Sequence, residues 1–246
     1  GVYVQASTLG SLEALLEFLR SSKIPVAGIN IGPVHKRDVV KCSTMLERKR
    51  EFAVVLAFDV KVENEARDLA AEMGVRIFTA DIIYHLFDQF TAYMADEKRK
   101  RREAASDDAV FPCILKIFPN FVFNKRDPII LGVEVVEGIL KVGTPLVVQH
   151  KSMTGETSWM DIGRVTGVER DKKSVNLASR GESVAVKIQS KTTENIMYGR
   201  HFDAEDKLYS KLSRRSIDLL KDNFRDDLAR EDWLTVKKLK KVFDIM

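Results

Sequence analysis

The chain has 246 residues, 45% of them hydrophobic, which is enough for two ordinary domains with cores of their own. Its formal net charge of +4 permits an RNA or an acidic protein as partner without requiring either. Two cysteines and four scattered histidines argue against a disulfide scaffold and a zinc site, so we expect no metal or cofactor and a reducing, cytoplasmic location. No apolar run is long enough to cross a membrane and no signal peptide opens the chain. A strand that begins with the first residues suggests a piece of a longer protein.

Strand and helix patterns alternate through the first 80 residues. Strands are predicted over 2–6, 25–31, 52–58 and 75–79, with helices between them, one of which is predicted from His35 to Glu47. The third strand is an unbroken apolar run, as in strands buried on both faces of a parallel sheet. Residues 1–80 are therefore predicted to form a four-stranded parallel α/β/α domain.

The turns of this domain carry no nucleotide-binding motif. The segment 6–11 matches neither GxGxxG nor GxxxxGK[ST], and 28–32 lacks the lysine that reaches terminal phosphates. Asp59 and Asp81 lie at strand ends, where turn and cap roles explain them. We predict no catalytic residue and interpret this half as a spacer or docking domain. An enzyme with a site here and a purely structural spacer are the alternatives.

One long helix is predicted over 81–106, with Asp81 as its N-cap. Its apolar stripe includes Leu86, Phe90 and Met94, and no apolar residue follows until the basic run 98–102 has passed. That run has two interpretations: a solvated helix end whose cations suit the negative end of the helix dipole, or a direct contact with nucleic acid.

Short strands with turns between them follow over 108–202, and they predict a closed barrel or a sandwich. The predicted strands are 114–118, 121–123, 128–137, 146–148, 159–166, 175–177 and 183–188, with an exposed loop over 151–158. The segment 124–127 copies the NKxD motif that reads guanine in GTPases. No phosphate-binding loop accompanies it, so ordinary turn chemistry is the better interpretation.

Several segments of the barrel half resemble a known family. The stretches 132–146, 162–165 and 180–186 are similar to the β-barrel of translational GTPases. Together with the α/β domain, the long helix and the ending 213–218 with Trp233, the chain resembles the C-terminal two domains of the eukaryotic initiation factor 5B family, the counterpart of bacterial initiation factor two. The resemblance covers essentially the whole chain. It includes no GTPase domain, so we expect no GTP hydrolysis.

The resemblance implies a role in ribosomal subunit joining, in which the long helix carries the barrel toward initiator tRNA on the ribosome. In the family the barrel holds the methionylated acceptor end. The formyl-methionine pocket of the bacterial relative maps onto Val133, Glu182, Ser183 and Val184. The basic candidates for the phosphates and riboses are Lys125, Arg126, Arg164, Arg180, Arg200 and His201. The alternative for each basic residue is scattered surface charge.

The tail, residues 203–246, is predicted to be helical and to pack on the barrel. Its apolar faces and cations would form a cleft suited to an acidic peptide with isoleucine or leucine anchors. In the family this extension binds the acidic tail of initiation factor 1A; otherwise the helices simply cap the barrel. The groove residues are Arg214, Arg215, Ile217, Leu220, Phe224, Trp233, Val236, Lys237, Leu239, Lys240, Lys241 and Phe243. We expect a monomer with no membrane partner.

Overall fold

The computed structural model describes residues 1–151, 154–192 and 194–246, and the chain divides into two compact units, Gly1–Lys100 and Arg101–Met246. Of the predicted exposed loop over 151–158, residues 152 and 153 lie outside the described part. The predicted domain limits 1–80, 81–106, 108–202 and 203–246 stay predictions.

The first unit is built on a parallel sheet of four strands, in the order β2-β1-β3-β4. The strands are β1 (Val2–Ala6), β2 (Val26–Ile31), β3 (Val54–Phe58) and β4 (Arg76–Ala80). The connecting helices are α1 (Leu9–Ser21), α2 (Lys36–Ser43), α3 (Met45–Arg48) and α4 (Asn64–Met73). One core lies on each face of the sheet, and β3 contributes to both. The predicted four-stranded parallel α/β/α arrangement is confirmed.

The helix predicted from His35 to Glu47 is interrupted, and its pieces are α2 and α3. The Ser43 hydroxyl donates to the Val40 carbonyl at 2.7 Å, and the Thr44 hydroxyl donates to the Lys41 carbonyl at 2.8 Å. Such bonds compete with the helical backbone pattern, and consecutive serine and threonine are placed where the helix stops.

The long helix α5 (Ile83–Ala105) begins two residues after the predicted cap Asp81. Leu86 and Phe90 are buried in the first unit, as the periodicity predicts. In the basic run, Lys100 lies 2.7 Å from the Asp96 carboxylate and Arg99 lies 2.6 Å from it. Hydrogen bonds from these two cations lower the pKa of Asp96. Arg99 and Lys100 are therefore paired with an acid of their own helix, and Arg102 forms an ion pair with Asp227. Pairing within the chain supports the interpretation as a solvated helix segment.

The second unit contains a closed barrel of six antiparallel strands, as the resemblance implied. The ring runs β6-β11-β8-β7-β12-β5 and closes through the pairing of β5 with β6. The ring strands are β5 (Cys113–Asn124), β6 (Ile129–Lys141), β7 (Pro145–Lys151), β8 (Thr157–Arg170), β11 (Ser183–Gln189) and β12 (Lys207–Ser210). Two short strands, β9 (Lys173–Val175) and β10 (Leu177–Ser179), pair with β8 and β6.

Three details of the barrel differ from the sequence prediction. Strand β5 continues through Pro119 instead of stopping there, because the pairing with β6 shifts register between Ile117 and Val122 and needs no N–H from proline. The strand predicted over 128–137 extends as β6 to Lys141 and contains Gly138, which has φ +79°. Strand β12 falls in the tail that was predicted to be helical, and its four residues are too few to show a clear alternation.

Two helices, α6 (Arg214–Asn223) and α7 (Arg230–Val242), end the second unit. Ser213 is the N-cap of α6, and its side chain accepts a hydrogen bond from the backbone N–H of Ser216 at 3.1 Å. The apolar faces of both helices form a core with Phe111 and Ile114, next to the barrel interior. The two helices and the strands β5, β6 and β12 therefore share one core, to which Ile114, Ile139 and Tyr209 contribute.

Candidate nucleic-acid and peptide interfaces

The loop between β5 and β6 contains the NKxD-like segment, and its polar side chains shape the loop itself. The Asn124 side-chain amide donates to the Pro128 carbonyl at 3.0 Å. The Asp127 carboxylate accepts from the backbone N–H of Ser190 at 3.2 Å. Both side chains thus hold the loop in place, in agreement with the turn interpretation.

The same loop presents the two basic residues of the predicted acceptor-end site, Lys125 and Arg126, and both are exposed. The backbone N–H of Tyr198 donates to the Lys125 carbonyl at 3.0 Å, and this bond sets the turn that carries Arg200 and His201 beside the loop. The structure therefore brings together four of the six predicted basic residues, from positions about 75 residues apart in sequence. We call these four residues the loop-end cluster.

A cleft of about 640 Å³ adjoins the cluster and is lined by Arg200 and His201. The Nδ1 atom of His201 accepts from the backbone N–H of Met197 at 3.0 Å, which leaves Nε2 as the nitrogen free to bind a ligand. Partial burial, together with the charge of Asp203, raises the pKa of Tyr198, so its hydroxyl stays neutral. Three carboxylates also line the cleft, those of Asp203, Glu205 and Asp206. A phosphate is therefore better accommodated on the side of the cleft next to the loop between β5 and β6.

Two positions mapped from the bacterial pocket face the wrong way to meet a ligand. Val133 is fully buried and Val184 is 4% exposed, and they are cross-strand neighbours in the barrel core. Glu182 accepts from the backbone N–H of Ser179 at 2.7 Å and forms an ion pair with Arg170. Of the four mapped positions, the two valines are thus corrected to core residues, because the alternation along β6 and β11 turns them inward.

The remaining predicted residues lie apart from the loop-end cluster. Ser183 is exposed at the start of β11, whereas the loop lies at the other end of this strand, where Ile188 pairs with Ile129. Arg180 lies 3.3 Å from the Glu231 carboxylate of α7. The guanidinium of Arg164 donates to the Gly143 carbonyl at 3.0 Å. These two arginines already have partners within the chain.

The predicted peptide groove is filled by the chain's own side chains. Five of its apolar residues are no more than 4% exposed and belong to the core shared with the barrel half: Ile217, Leu220, Phe224, Val236 and Leu239. Trp233 and Phe243 are half-buried, and the Phe243 ring packs on Trp159 with centroids 4.6 Å apart. These five buried residues therefore cap the barrel half. Phe111 and Ile114 pack against them and occupy the space that a peptide anchor would need.

The outer face of α7 still presents apolar and basic side chains together. Leu234 is 56% exposed and Val242 is 40% exposed. Lys237, Lys240 and Lys241 have no ion pair among the described residues, whereas the other predicted cations are engaged. Arg214 lies 3.3 Å from Asp218, and Arg215 lies 2.8 Å from Asp108. The predicted groove residues did not include Leu234 or Val242, although their eight-residue spacing places them on one helical face.

Metal and membrane sites are absent from what the structure describes. Across residues 1–151, 154–192 and 194–246, histidine, cysteine, aspartate and glutamate side chains nowhere gather in threes that could hold a metal ion. Within the same ranges, no helix has the length and hydropathy needed to span a membrane. Burial raises the pKa of Cys42 and of Cys113 to about 12, so both thiols stay protonated at neutral pH.

Comparison with known proteins places this chain among translation factors. The family model of translation-initiation factor 2 matches residues 1–91, and that of elongation factor Tu domain 4 matches residues 111–209. The chain is 55% identical over 247 residues to eukaryotic translation initiation factor 5B of Homo sapiens and 51% identical over 250 residues to that of Saccharomyces cerevisiae. Over its whole length the chain is thus similar to eukaryotic translation initiation factor 5B.

The match includes all of this chain but only part of those relatives. The chain spans 20% of the human factor and 25% of the yeast factor. A crystal structure of GDP-bound aIF5B from Aeropyrum pernix is similar over 98% of this chain and 38% of its own, with 33% identity and a TM-score of 0.47. The chain thus corresponds to a fraction of a larger initiation factor.

Proposed function

We propose that this chain is a non-catalytic part of a translation initiation factor that binds the methionylated acceptor end of initiator tRNA through its barrel and so promotes ribosomal subunit joining. The observation that carries the proposal is the loop-end cluster, where one backbone hydrogen bond joins Lys125 to the turn of Arg200 and His201. The similarity to initiation factors supports RNA partners, since such factors act on the ribosome with tRNA. The absence of a GxxxxGK[ST] motif from the sequence supports a non-catalytic role.

The charges of the cluster suit a phosphate backbone. Lys125, Arg126 and Arg200 are exposed and have no ion pair among the described residues, unlike Arg164 and Arg180, which have partners. Cations that replace condensed counterions on RNA stabilise the complex through counterion release, and the affinity then falls steeply with salt. This cluster therefore supports a salt-dependent contact that positions the acceptor end.

The double substitution Lys125→Ala/Arg126→Ala is expected to weaken binding to methionylated initiator tRNA and to reduce the slope of log affinity against log salt by about two, one for each lost phosphate contact. Fluorescence anisotropy with end-labelled tRNA at several salt concentrations measures both quantities.

The matched control is Lys172→Ala/Lys173→Ala, which removes the same charge from the exposed β8–β9 turn at the other end of β11. We expect the control to keep the wild-type slope. Equal slopes for the two double variants would mean that net charge, not the loop-end cluster, determines the salt dependence.

We further propose that the outer face of α7 binds an acidic peptide, the C-terminal tail of initiation factor 1A. The buried groove residues do not support this, but Leu234 and Val242 flank the unpaired Lys237 and Lys241 on one exposed face. An amphipathic peptide with acidic residues and leucine or isoleucine anchors complements such a face. The site is thus moved from the space between the helices to the outside of α7.

Lys237→Glu/Lys241→Glu is expected to abolish binding of a peptide copying that tail, because both introduced charges repel it. Leu234→Ala should weaken binding by about tenfold, the effect of exposing part of one leucine. Titration calorimetry with the chain and the peptide tests both. As control, Lys221→Glu/Arg225→Glu makes the same charge change on exposed positions outside α7. A control that lost as much affinity would contradict the placement on α7.

A further inference from the structure

Two phenylalanines stand exposed on the outer face of β5, close to the loop-end cluster. Phe121 is 55% exposed and Phe123 is 64% exposed, while Val122 between them packs against the barrel core. Because Val122 packs inward and both phenylalanines are exposed, the two rings lie on the outer face of the strand. Exposing two large aromatic rings to water is unfavourable. Two such rings side by side therefore indicate a surface that binds a partner.

The neighbouring backbone makes room for the first ring. A Cβ atom added at Gly132, on β6, would lie 2.6 Å from the Phe121 Cβ, so only glycine lets Phe121 pack directly over the sheet. Gly132 pairs with Ala185 of β11, whose small side chain leaves space above the sheet next to Phe121. Phe118 packs edge-on against Phe121 with ring centroids 6.1 Å apart and so limits its rotation. The rotation of the Phe121 ring is therefore restricted, and the sheet surface beside it carries only small residues.

The charges around the two rings are mainly basic. Lys125 and Arg126 lie in the loop that directly follows β5, and Lys187 of β11 is the cross-strand neighbour of Ile130 of β6. None of these three cations has an ion pair among the residues that the structure describes. The acidic side chains at the far side of the face are Glu134 and Glu169. Aromatic rings bordered by cations without ion pairs are suited to RNA. The bases of RNA can stack on the rings, and its phosphates can contact the cations.

We propose that Phe121 and Phe123 form a stacking platform for unpaired bases of single-stranded RNA, with Lys125, Arg126 and Lys187 at its edge contacting the phosphates. The inference rests on the proposed RNA contact of the loop-end cluster and adds the residues that recognise bases. Stacking requires an accessible base face, so the platform selects single strands over duplexes.

The test uses the whole chain and two labelled RNAs, a single-stranded adenine decamer and a blunt ten-base-pair duplex, in anisotropy titrations at several salt concentrations. Phe121→Ala/Phe123→Ala is expected to lose affinity for the decamer by roughly five- to hundredfold for each base-stacking ring that is removed. Its salt slope and its duplex affinity should stay at the wild-type values, because the phosphate contacts remain.

Two further variants keep the test decisive. Phe121→Leu/Phe123→Leu preserves apolar cover over the sheet and should lose decamer affinity to a similar extent, since leucine has no ring to stack. Val142→Ala/Leu177→Ala removes two other exposed apolar side chains of the barrel unit and should bind like the wild type. Thermal melting monitored by tryptophan fluorescence confirms that each variant is folded.

The outcomes separate this inference from the proposed function. Unchanged decamer affinity in both phenylalanine variants, with a reduced salt slope in Lys125→Ala/Arg126→Ala, would overturn the platform and keep the RNA contact. Leucine variants that bind like the wild type would overturn stacking in favour of a general apolar contact, as with a protein partner. If the wild-type chain bound neither the decamer nor initiator tRNA, the platform and the proposed function would both be wrong.

Discussion

Replacing Gly138 with alanine is expected to destabilise the barrel by at least about 3 kcal/mol, because a side chain there meets backbone that cannot move aside. Gly138 has φ +79°, and an added Cβ would lie 1.9 Å from the Pro112 carbonyl oxygen. The same carbonyl accepts from the backbone N–H of Ile139 at 2.8 Å, so it is held in place by the pairing itself. Relief of the clash would break the contact between β6 and the start of β5.

Urea unfolding monitored by tryptophan fluorescence measures this effect, since both tryptophans, Trp159 and Trp233, belong to the second unit. Gly143→Ala is the matched control. Gly143 has φ +93° but nothing within 4 Å of an added Cβ, so only the backbone strain of about 1–2 kcal/mol is expected. Equal losses in the two variants would contradict the steric explanation.

Leu239→Ala is expected to lower the free energy of unfolding of the second unit by about 2–5 kcal/mol, as large-to-small changes in a packed core do. Leu239 is fully buried among the side chains that α6, α7 and the barrel half share. The same urea experiment measures the loss. Leu234→Ala, on the exposed face of the same helix, should change stability by no more than about 0.5 kcal/mol.

This pair of leucines also separates the two interpretations of the terminal helices. If the apolar face of α7 were an open groove for a peptide, truncating Leu239 would change peptide affinity and leave stability nearly intact. A capping helix gives the opposite result, with a large loss of stability. The burial of Leu239 at 0% exposure, against 56% for Leu234, leads us to expect the second result.

The sequence predicted those features of the fold that long, regular apolar patterns specify. The unbroken apolar run of β3 indicated a strand buried on both faces, and the stripe of α5 through Phe90 indicated its buried half. Strand β12 was missed because four residues are too few to show a clear alternation of apolar and polar side chains. Its position depends instead on pairing with β5 and β7. Pairing between distant segments is not visible in local periodicity.

The candidate sites were harder to predict than the fold, since an apolar face does not reveal what covers it. The periodicity of α6 and α7 correctly identified their buried sides, but only the packing shows Phe111 and Ile114 in the place assigned to a peptide. Similarly, Val133 and Val184 sit in a segment that resembles a ligand pocket, and the strand alternation turns both inward. The loop-end cluster depends on the bond between Tyr198 and Lys125, which no sequence pattern announces.

The most direct test of the central claim compares two forms of initiator tRNA in binding to this chain: the intact methionylated molecule, and the same tRNA without the unpaired nucleotides of its acceptor end. If the barrel holds the acceptor end, removing it should lower the affinity by at least about tenfold, since the stacked bases and their phosphates are lost together. Equal affinity for the two forms would show that the chain contacts the tRNA elsewhere, and it would contradict acceptor-end binding by the barrel.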